Sequence, residues 1–254
     1  MSSIRIAAAG VLGLVALAAC SSTGGPNTGG RTLAFQLATQ PAATAPGMAA
    51  LTGQETLAAG NDTIVVNQVQ VVLRRIELER AGGSPCDTLA AHDDCEDVET
   101  GPVLLDLPLG GGANRQFTIA IDTGTYGKIQ FQIHRPESSN DAAFIAANPA
   151  FDGVSIRMTG TYNGTAFTYT SDLDVEQEHD LVPPLAVTDA AGANLTLFVD
   201  LQSWFLAQGG GALIDPATAN PGGVAESEVK SNIEASFNAF EDDNHDGVDD
   251  HGGA

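Results

Sequence analysis

A period of two runs from Asp62 to about Leu201 and constrains this chain more than any other feature. Successive side chains of a β-strand point to opposite faces, so alternation gives one face to bury and one to leave in water. Ile64 and Val66 begin the pattern, and Val69, Val71 and Leu73 continue it. At Arg74-Arg75 the phase slips, and Ile76 and Leu78 carry it on from the other parity. Such a slip predicts a β-bulge or bend. Val103-Leu104-Leu105-Asp106-Leu107 is a short buried-strand candidate. Phe117, Ile119 and Ile121 form another alternating set, as do Ile129, Phe131 and Ile133, then Val154, Ile156, Met158 and Tyr162, and last Leu195, Leu197, Val199 and Leu201. Turn signals lie between most of them, and Asn163-Gly164 is the clearest hairpin. Many short strands with few intervening helices predict an all-β fold, an antiparallel sandwich or barrel, of which the antiparallel β-sandwich is the expectation. Ile129, Phe131, Ile133, Val154, Ile156, Leu197 and Val199 are expected in its core.

Two helices are expected around it. One falls within Asp141 to Ala147. The other is amphipathic and C-terminal, between Val224 and Glu241, where Val229, Ile233, Phe237 and Phe240 form a stripe at helical spacing. Its role is read as a structural cap over an open sheet edge. Thr32 to Leu37 alternates and is a candidate early strand. Otherwise the Gly-, Ala-, Pro-, Ser- and Thr-rich stretch from residue 20 to 60 reads as a flexible tether.

The N-terminus reads as an export signal. Arg5 precedes an uncharged stretch from Ile6 to Ala19, too short and too rich in small residues for a transmembrane helix. That stretch ends in Leu17-Ala18-Ala19-Cys20, which resembles the lipobox of bacterial lipoproteins. The resemblance implies that residues 1–19 are removed and that Cys20 is acylated and becomes the anchor. Ser21 stands where an Asp would imply inner-membrane retention, so the expected location is the outer membrane of the cell envelope. The domain layout is then a signal peptide at 1–19, a tether at 20–60, a sandwich at 61–203, a helical segment at 204–241 and an acidic tail at 242–254.

A formal charge of −22 repels nucleic acid and anionic headgroups, which excludes both as expected ligands. Cations, basic proteins and neutral molecules remain. A hydrophobic content of 43% and long Val/Ile/Leu segments argue against a disordered acidic chain. Beyond Cys20 the cysteines are Cys86 and Cys95. In an oxidising compartment a disulfide between them is expected, worth roughly 2–3 kcal/mol for so short a loop. Zinc is disfavoured, because Cys86, Cys95 and His92 lack a regular ligand pair.

A second resemblance rests on three segments. Val69-Gln70-Val71-Val72-Leu73-Arg74-Arg75-Ile76-Glu77-Leu78 is followed by Leu104-Leu105-Asp106-Leu107 and by Gly124-Thr125-Tyr126-Gly127-Lys128-Ile129-Gln130-Phe131. From Thr63 to His134 this order is similar to an uncharacterised family of bacterial lipoproteins with an immunoglobulin- or prealbumin-like sandwich. It implies fold and location; the family supplies no activity to carry over.

The most specific ligand motif is C-terminal. Asp242, Asn244, Asp246, Gly247, Val248 and Asp250 form D-x-N-x-D-G-V-x-D. A hard cation such as Ca2+ takes six to eight oxygens, and alternate acidic or amide side chains around a Gly-permitted turn supply them. The motif resembles the calcium loops of thrombospondin type 3 repeats and, less closely, EF-hands and dockerins. That resemblance implies Asp242, Asn244, Asp246 and Asp250 as side-chain ligands and Val248 as a carbonyl ligand. Gly253 stands where an EF-hand has a bidentate Glu, so binding is expected to be weak, on the order of 10⁻⁴–10⁻³ M. The competing reading is a solvated acidic tail. Two further clusters read first as solvated charge: the Cys86 to Glu99 loop, and the alternating Asp172, Asp174, Glu176, Glu178 and Asp180, which an exposed or edge strand would carry on one face.

No catalytic motif emerges. Ile119-Ala120-Ile121-Asp122-Thr123-Gly124-Thr125 looks like an aspartic-peptidase segment, but that chemistry needs two carboxylates sharing a proton, and the chain has no second copy. A hairpin turn accounts for Asp122 and Gly124. The five histidines are scattered, and Trp204 beside Phe205 reads as a core anchor. The function expected is a non-catalytic, lipid-anchored binding or structural protein. A component of a surface adhesion or export assembly that docks through a strand edge, and a hydrolase with an unrecognised site, are the alternatives.

Overall fold

The computed structural model describes residues 32–39, 53–83, 95–109, 112–189, 192–244 and 247–251. It is an all-β fold of two packed sheets. The strands are β1 Thr32–Thr39, β2 Glu55–Ala59, β3 Asp62–Arg80, β4 Cys95–Glu99, β5 Val103–Asp106, β6 Ala113–Ala120, β7 Gly124–Ile133, β8 Ile156–Tyr162, β9 Thr165–Ser171, β10 Val175–Val187, β11 Ala193–Val199 and β12 Phe237–Glu241. Three short helices join them: α1 Ala142–Ala147, α2 Leu201–Trp204 and α3 Glu226–Glu234.

The 19-residue β3 organises the eight-stranded sheet. Val71 pairs with both Leu105 and Ile156, and Leu73 with both Val103 and Ile133. Strands β2, β5 and β4 therefore follow one another along one side of β3, and β8 and β7 along the other. Strand β9 extends the sheet beyond β8, and β10 beyond β7. The phase slip at Arg74-Arg75 is a register shift against β7 between Arg74 and Glu77, and Arg75 takes a positive φ of 49°. The extra residue returns Ile76 and Leu78 to the buried face, so both halves of β3 feed one core.

The four-stranded sheet has the order β12-β11-β1-β6. Its β1–β11 pair is parallel, Leu33 opposite Ala193 through Thr39 opposite Val199, which corrects the expectation of a wholly antiparallel sandwich. The assigned tether also shortens. Thr32–Thr39 lies centrally in this sheet, buried from Leu33 onward, and Glu55–Ala59 pairs with β3. The sandwich likewise outruns its expected C-terminal boundary. The stripe read as one long helix divides: Val229 and Ile233 are buried on α3, whereas Phe237 and Phe240 belong to β12, paired with β11.

The core draws on both sheets. Phe131 of β7 lies 5.6 Å from Phe237 of β12, and Phe205 meets Tyr169 edge-on at 5.2 Å. Ile129, Phe131, Ile133, Ile156, Leu197 and Val199 are buried as expected, while Val154 is only half-buried in the turn before β8. Asn163-Gly164 makes the two-residue turn between β8 and β9 with φ of 48° and 83°, the left-handed pair that such a hairpin requires. Gly160 has a different reason. A Cβ there would lie 2.2 Å from the Val65 carbonyl oxygen, opposite the bulge that β3 makes at Asn67. Gly160→Ala must push ladder backbone apart and is expected to destabilise by roughly 1–3 kcal/mol, read as a lower urea midpoint. An unchanged midpoint would contradict this packing.

Between His134 and Ser155 the chain leaves the sheet and returns to the same place. The Val72 N–H donates to the Ser155 carbonyl at 2.8 Å, and the His134 N–H donates to the Val72 carbonyl at 2.9 Å. The excursion carries α1, within the interval expected to be helical.

Candidate functional site

The acidic C-terminal loop begins as a continuation of β12. The Asp242 N–H donates to the Asn194 carbonyl at 3.1 Å, so the first candidate ligand is set by sheet pairing. It follows strand β12 rather than the helix expected to run to Glu241. The Asp242 side chain is fully buried. Its Oδ2 accepts from the hydroxyl of buried Thr196 on β11 at 3.1 Å and from the Gly247 N–H at 3.0 Å. Gly247 has φ of 80°, and a Cβ there would lie 3.1 Å from the Ala38 Cβ of β1. The loop tip thus packs against the sheet rather than extending away from it.

Asp250 closes the turn. Its Oδ1 accepts from Asn244 Nδ2 and its Oδ2 from the Asp243 N–H, both at 2.8 Å. The fold therefore brings Asp242, Asn244 and Asp250 into one closed turn. The Val248 side chain is exposed. Asp246 lies outside the described residues, and among the described residues no group of three or more His, Cys, Asp or Glu is arranged to hold a metal. Negative charge is crowded here. Burial pushes the Glu241 carboxyl above its ordinary range, Asp243 and Asp250 push it further, and His251 opposes them.

A raised carboxyl pKa means that the folded chain holds the proton more tightly than the unfolded chain. The contribution is full below the unfolded value of 4.5 and is lost as pH rises through the folded value. Glu241→Gln is therefore expected to be more stable than wild type at pH 7 and to show no advantage near pH 4. Urea midpoints at the two pH values check this, and an equal advantage at both would contradict it.

The alternating acidic run lies on β10, an edge strand, with Glu176, Glu178 and Asp180 exposed. Its charges are mostly paired across the sheet. Glu176 bonds Arg75, Glu178 sits 2.7 Å from Lys128 Nζ, and Asp174 accepts from Gln132 at 2.6 Å. Asp172, just before the strand, pairs with Lys230 of α3 at 2.6 Å. This pairing makes the run a structural ladder. Around the cysteines, Glu96 pairs with Arg80 at 2.8 Å and the Glu99 carboxylate accepts from the Gly101 N–H. Cys95 is disulfide-bonded. Cys86 lies outside the described residues, as do His92 and the acidic residues Asp87, Asp93 and Asp94.

Asp122 sits exposed in the β6–β7 turn, its carbonyl accepting the Tyr126 hydroxyl at 2.8 Å. A buried pair between His134 and Asp141, Nε2 to Oδ2 at 2.9 Å, was not among the expected sites. Burial opposes the Asp141 charge, but the Glu137 N–H, His134 and Arg74 outweigh it and hold that carboxyl below its usual range. The pair fastens the excursion between β7 and β8 to the sheet. Its one signal was a His ending an alternating run seven residues before the Asp that opens a helical stretch. His179 stacks on Phe131 at 5.7 Å, and burial lowers its pKa.

Cys20 lies outside the described residues, and among those residues no helix is long and apolar enough to cross a membrane. Compared with known proteins, the chain matches no family model, no curated protein and no solved structure.

Proposed function

We propose that this protein is an exported bacterial lipoprotein, anchored to the cell envelope through Cys20, that displays an acidic β-sandwich in a non-catalytic binding or structural role. Its C-terminal loop binds calcium weakly. The observation that carries the loop assignment is the fixing of Asp242 by Thr196 and Gly247. That contact joins position one of the motif to its turn glycine and roots the loop in the sheet. Asp242, Asn244, Asp246 and Asp250 supply side-chain oxygens, and Val248 its carbonyl. The crowding of Glu241, Asp243 and Asp250 is a repulsion that a bound cation would relieve.

Titration calorimetry tests the calcium assignment. The wild-type chain is expected to bind one calcium with a Kd on the order of 10⁻⁴–10⁻³ M. An Asp242→Asn, Asp246→Asn variant keeps oxygen acceptors for Thr196 and Gly247 and is expected to bind at least roughly tenfold more weakly, because two hard anionic ligands are lost. Equal uptake by both proteins would place the site elsewhere. No uptake at millimolar calcium would leave the loop as solvated charge.

A further inference from the structure

A groove lies at the β8–β9 end of the sandwich, away from the C-terminal loop. It has a volume of about 320 Å3 and is lined by Tyr162, Asn163, Thr165, Phe167, Asp215 and Ala217, with Ala166 between. Its walls are fixed. Asn163 holds the hairpin by accepting from the Thr63 N–H through Oδ1 and donating to Asp62 through Nδ2, both at 2.9 Å. The opposite wall is a single helical turn, Pro216–Thr218, capped by Asp215, whose Oδ1 accepts the Ala217 N–H at 2.9 Å. Further along the β9 edge, Asn220 accepts the Thr170 N–H at 2.9 Å and ties the segment after this turn to the strand.

The groove carries uncompensated negative charge beside aromatic side chains. Glu176, Glu178 and Glu96 are matched by Arg75, Lys128 and Arg80, and Asp172 and Glu226 share Lys230. Among the described residues, Asp62 and Asp215 form no ion pair with Lys, Arg or His. Asp215 therefore lines the concavity unmatched beside two aromatic side chains, and Asp62, held by Asn163, adds a second unmatched carboxylate next to Tyr162. Aromatic faces attract cations, carboxylates neutralise them, and the apolar parts of Tyr162, Phe167 and Ala217 suit a hydrocarbon stem. Burial, with Asp62 adding and Asp215 further along, raises the Tyr162 phenol pKa, in keeping with uncompensated negative charge at the groove.

We propose that this groove binds a small organic cation, a primary alkylammonium ion with a short hydrocarbon stem. The ammonium sits at Asp215, drawn also by the nearby charge of Asp62, and the stem lies against Tyr162 and Phe167. The test is residue-resolved NMR of the full chain titrated with n-pentylamine, with 1-pentanol as the uncharged match. Pentylamine is expected to give saturable shifts confined to residues 162–167 and 215–217, and pentanol none. Asp215→Asn, which retains an acceptor for the Ala217 N–H, is expected to weaken binding about five-fold, the scale of one partly exposed ion pair. Phe167→Leu is expected to weaken it by a smaller factor. Asp152→Asn, an exposed change outside the groove, is expected to leave it unaltered. Non-saturating shifts spread over the acidic surface would overturn the proposal. So would equal affinity in wild type, Asp215→Asn and Phe167→Leu, or equal shifts with pentanol.

Discussion

Replacing Trp204 with alanine is expected to destabilise the fold by about 3–5 kcal/mol, the range for truncating a fully buried large aromatic. Trp204 is completely buried at the end of α2, and its indole N–H donates to the Ser236 hydroxyl at 2.8 Å. Ser236 in turn donates to the Ile233 carbonyl at 2.7 Å, at the point where α3 gives way to β12. Asn232 donates to the Trp204 carbonyl at 3.1 Å and to that of Leu206 at 3.0 Å. One side chain thus ties α2, α3 and the start of an edge strand. Its loss opens a cavity and also leaves the Ser236 oxygen without the indole donor. Against a total stability on the order of 5–15 kcal/mol, this change is large. Trp204→Phe keeps most of the volume and is expected to cost about half as much. Urea unfolding of the three proteins decides. A Trp204→Ala midpoint close to wild type would mean that this corner contributes little to the fold.

The elements legible in the sequence were those whose signal is local. The alternation of β3 survives its slip at Arg75 because the bulge restores the buried face, and the positive φ of Asn163 and Gly164 is written in the residue types. Other elements depend on partners distant in the chain. β1 pairs in parallel with β11, and no local pattern names a partner some 160 residues away. Phe237 and Phe240 continue the spacing of Val229 and Ile233, so the stripe alone could not show where helix yields to strand. The Ser236–Ile233 bond and the open edge of β11 decide it. β4 has only Val98 as a buried apolar residue, too little for a period. In β10, Pro183 and Pro184 interrupt the alternation of the acidic run. The register jumps between Asp180 and Leu185, and on an edge strand the missing N–H groups remove no ladder bonds.

The candidate site divides in the same way. The spacing of Asp242, Asn244, Gly247 and Asp250 was legible because the motif is contiguous. The burial of Asp242 under Thr196 was not, because it follows from the pairing of β12 with β11. The cross-strand partners of the acidic run on β10 were hidden for the same reason. Arg75 and Lys128 come from strands that only the tertiary fold brings alongside.

The second large effect expected is on location. Cys20→Ser removes the thiol that a lipid anchor requires, and a single-cysteine anchor has no substitute elsewhere in the proposal. The variant is expected to leave the membrane fraction almost completely or to fail in processing, while its folded domain keeps the wild-type urea midpoint. The described fold begins at Thr32, beyond the substituted position, so stability and location should separate. Retention of the variant on membranes would mean that another surface holds the protein there.

The central claim, a lipid-anchored acidic sandwich, is tested most directly by mass spectrometry of the N-terminal peptide from protein isolated in the membrane fraction. The expected result is a mature chain that starts at Cys20 and carries the added mass of acyl chains. A soluble protein whose N-terminal peptide carries no lipid mass would contradict the account.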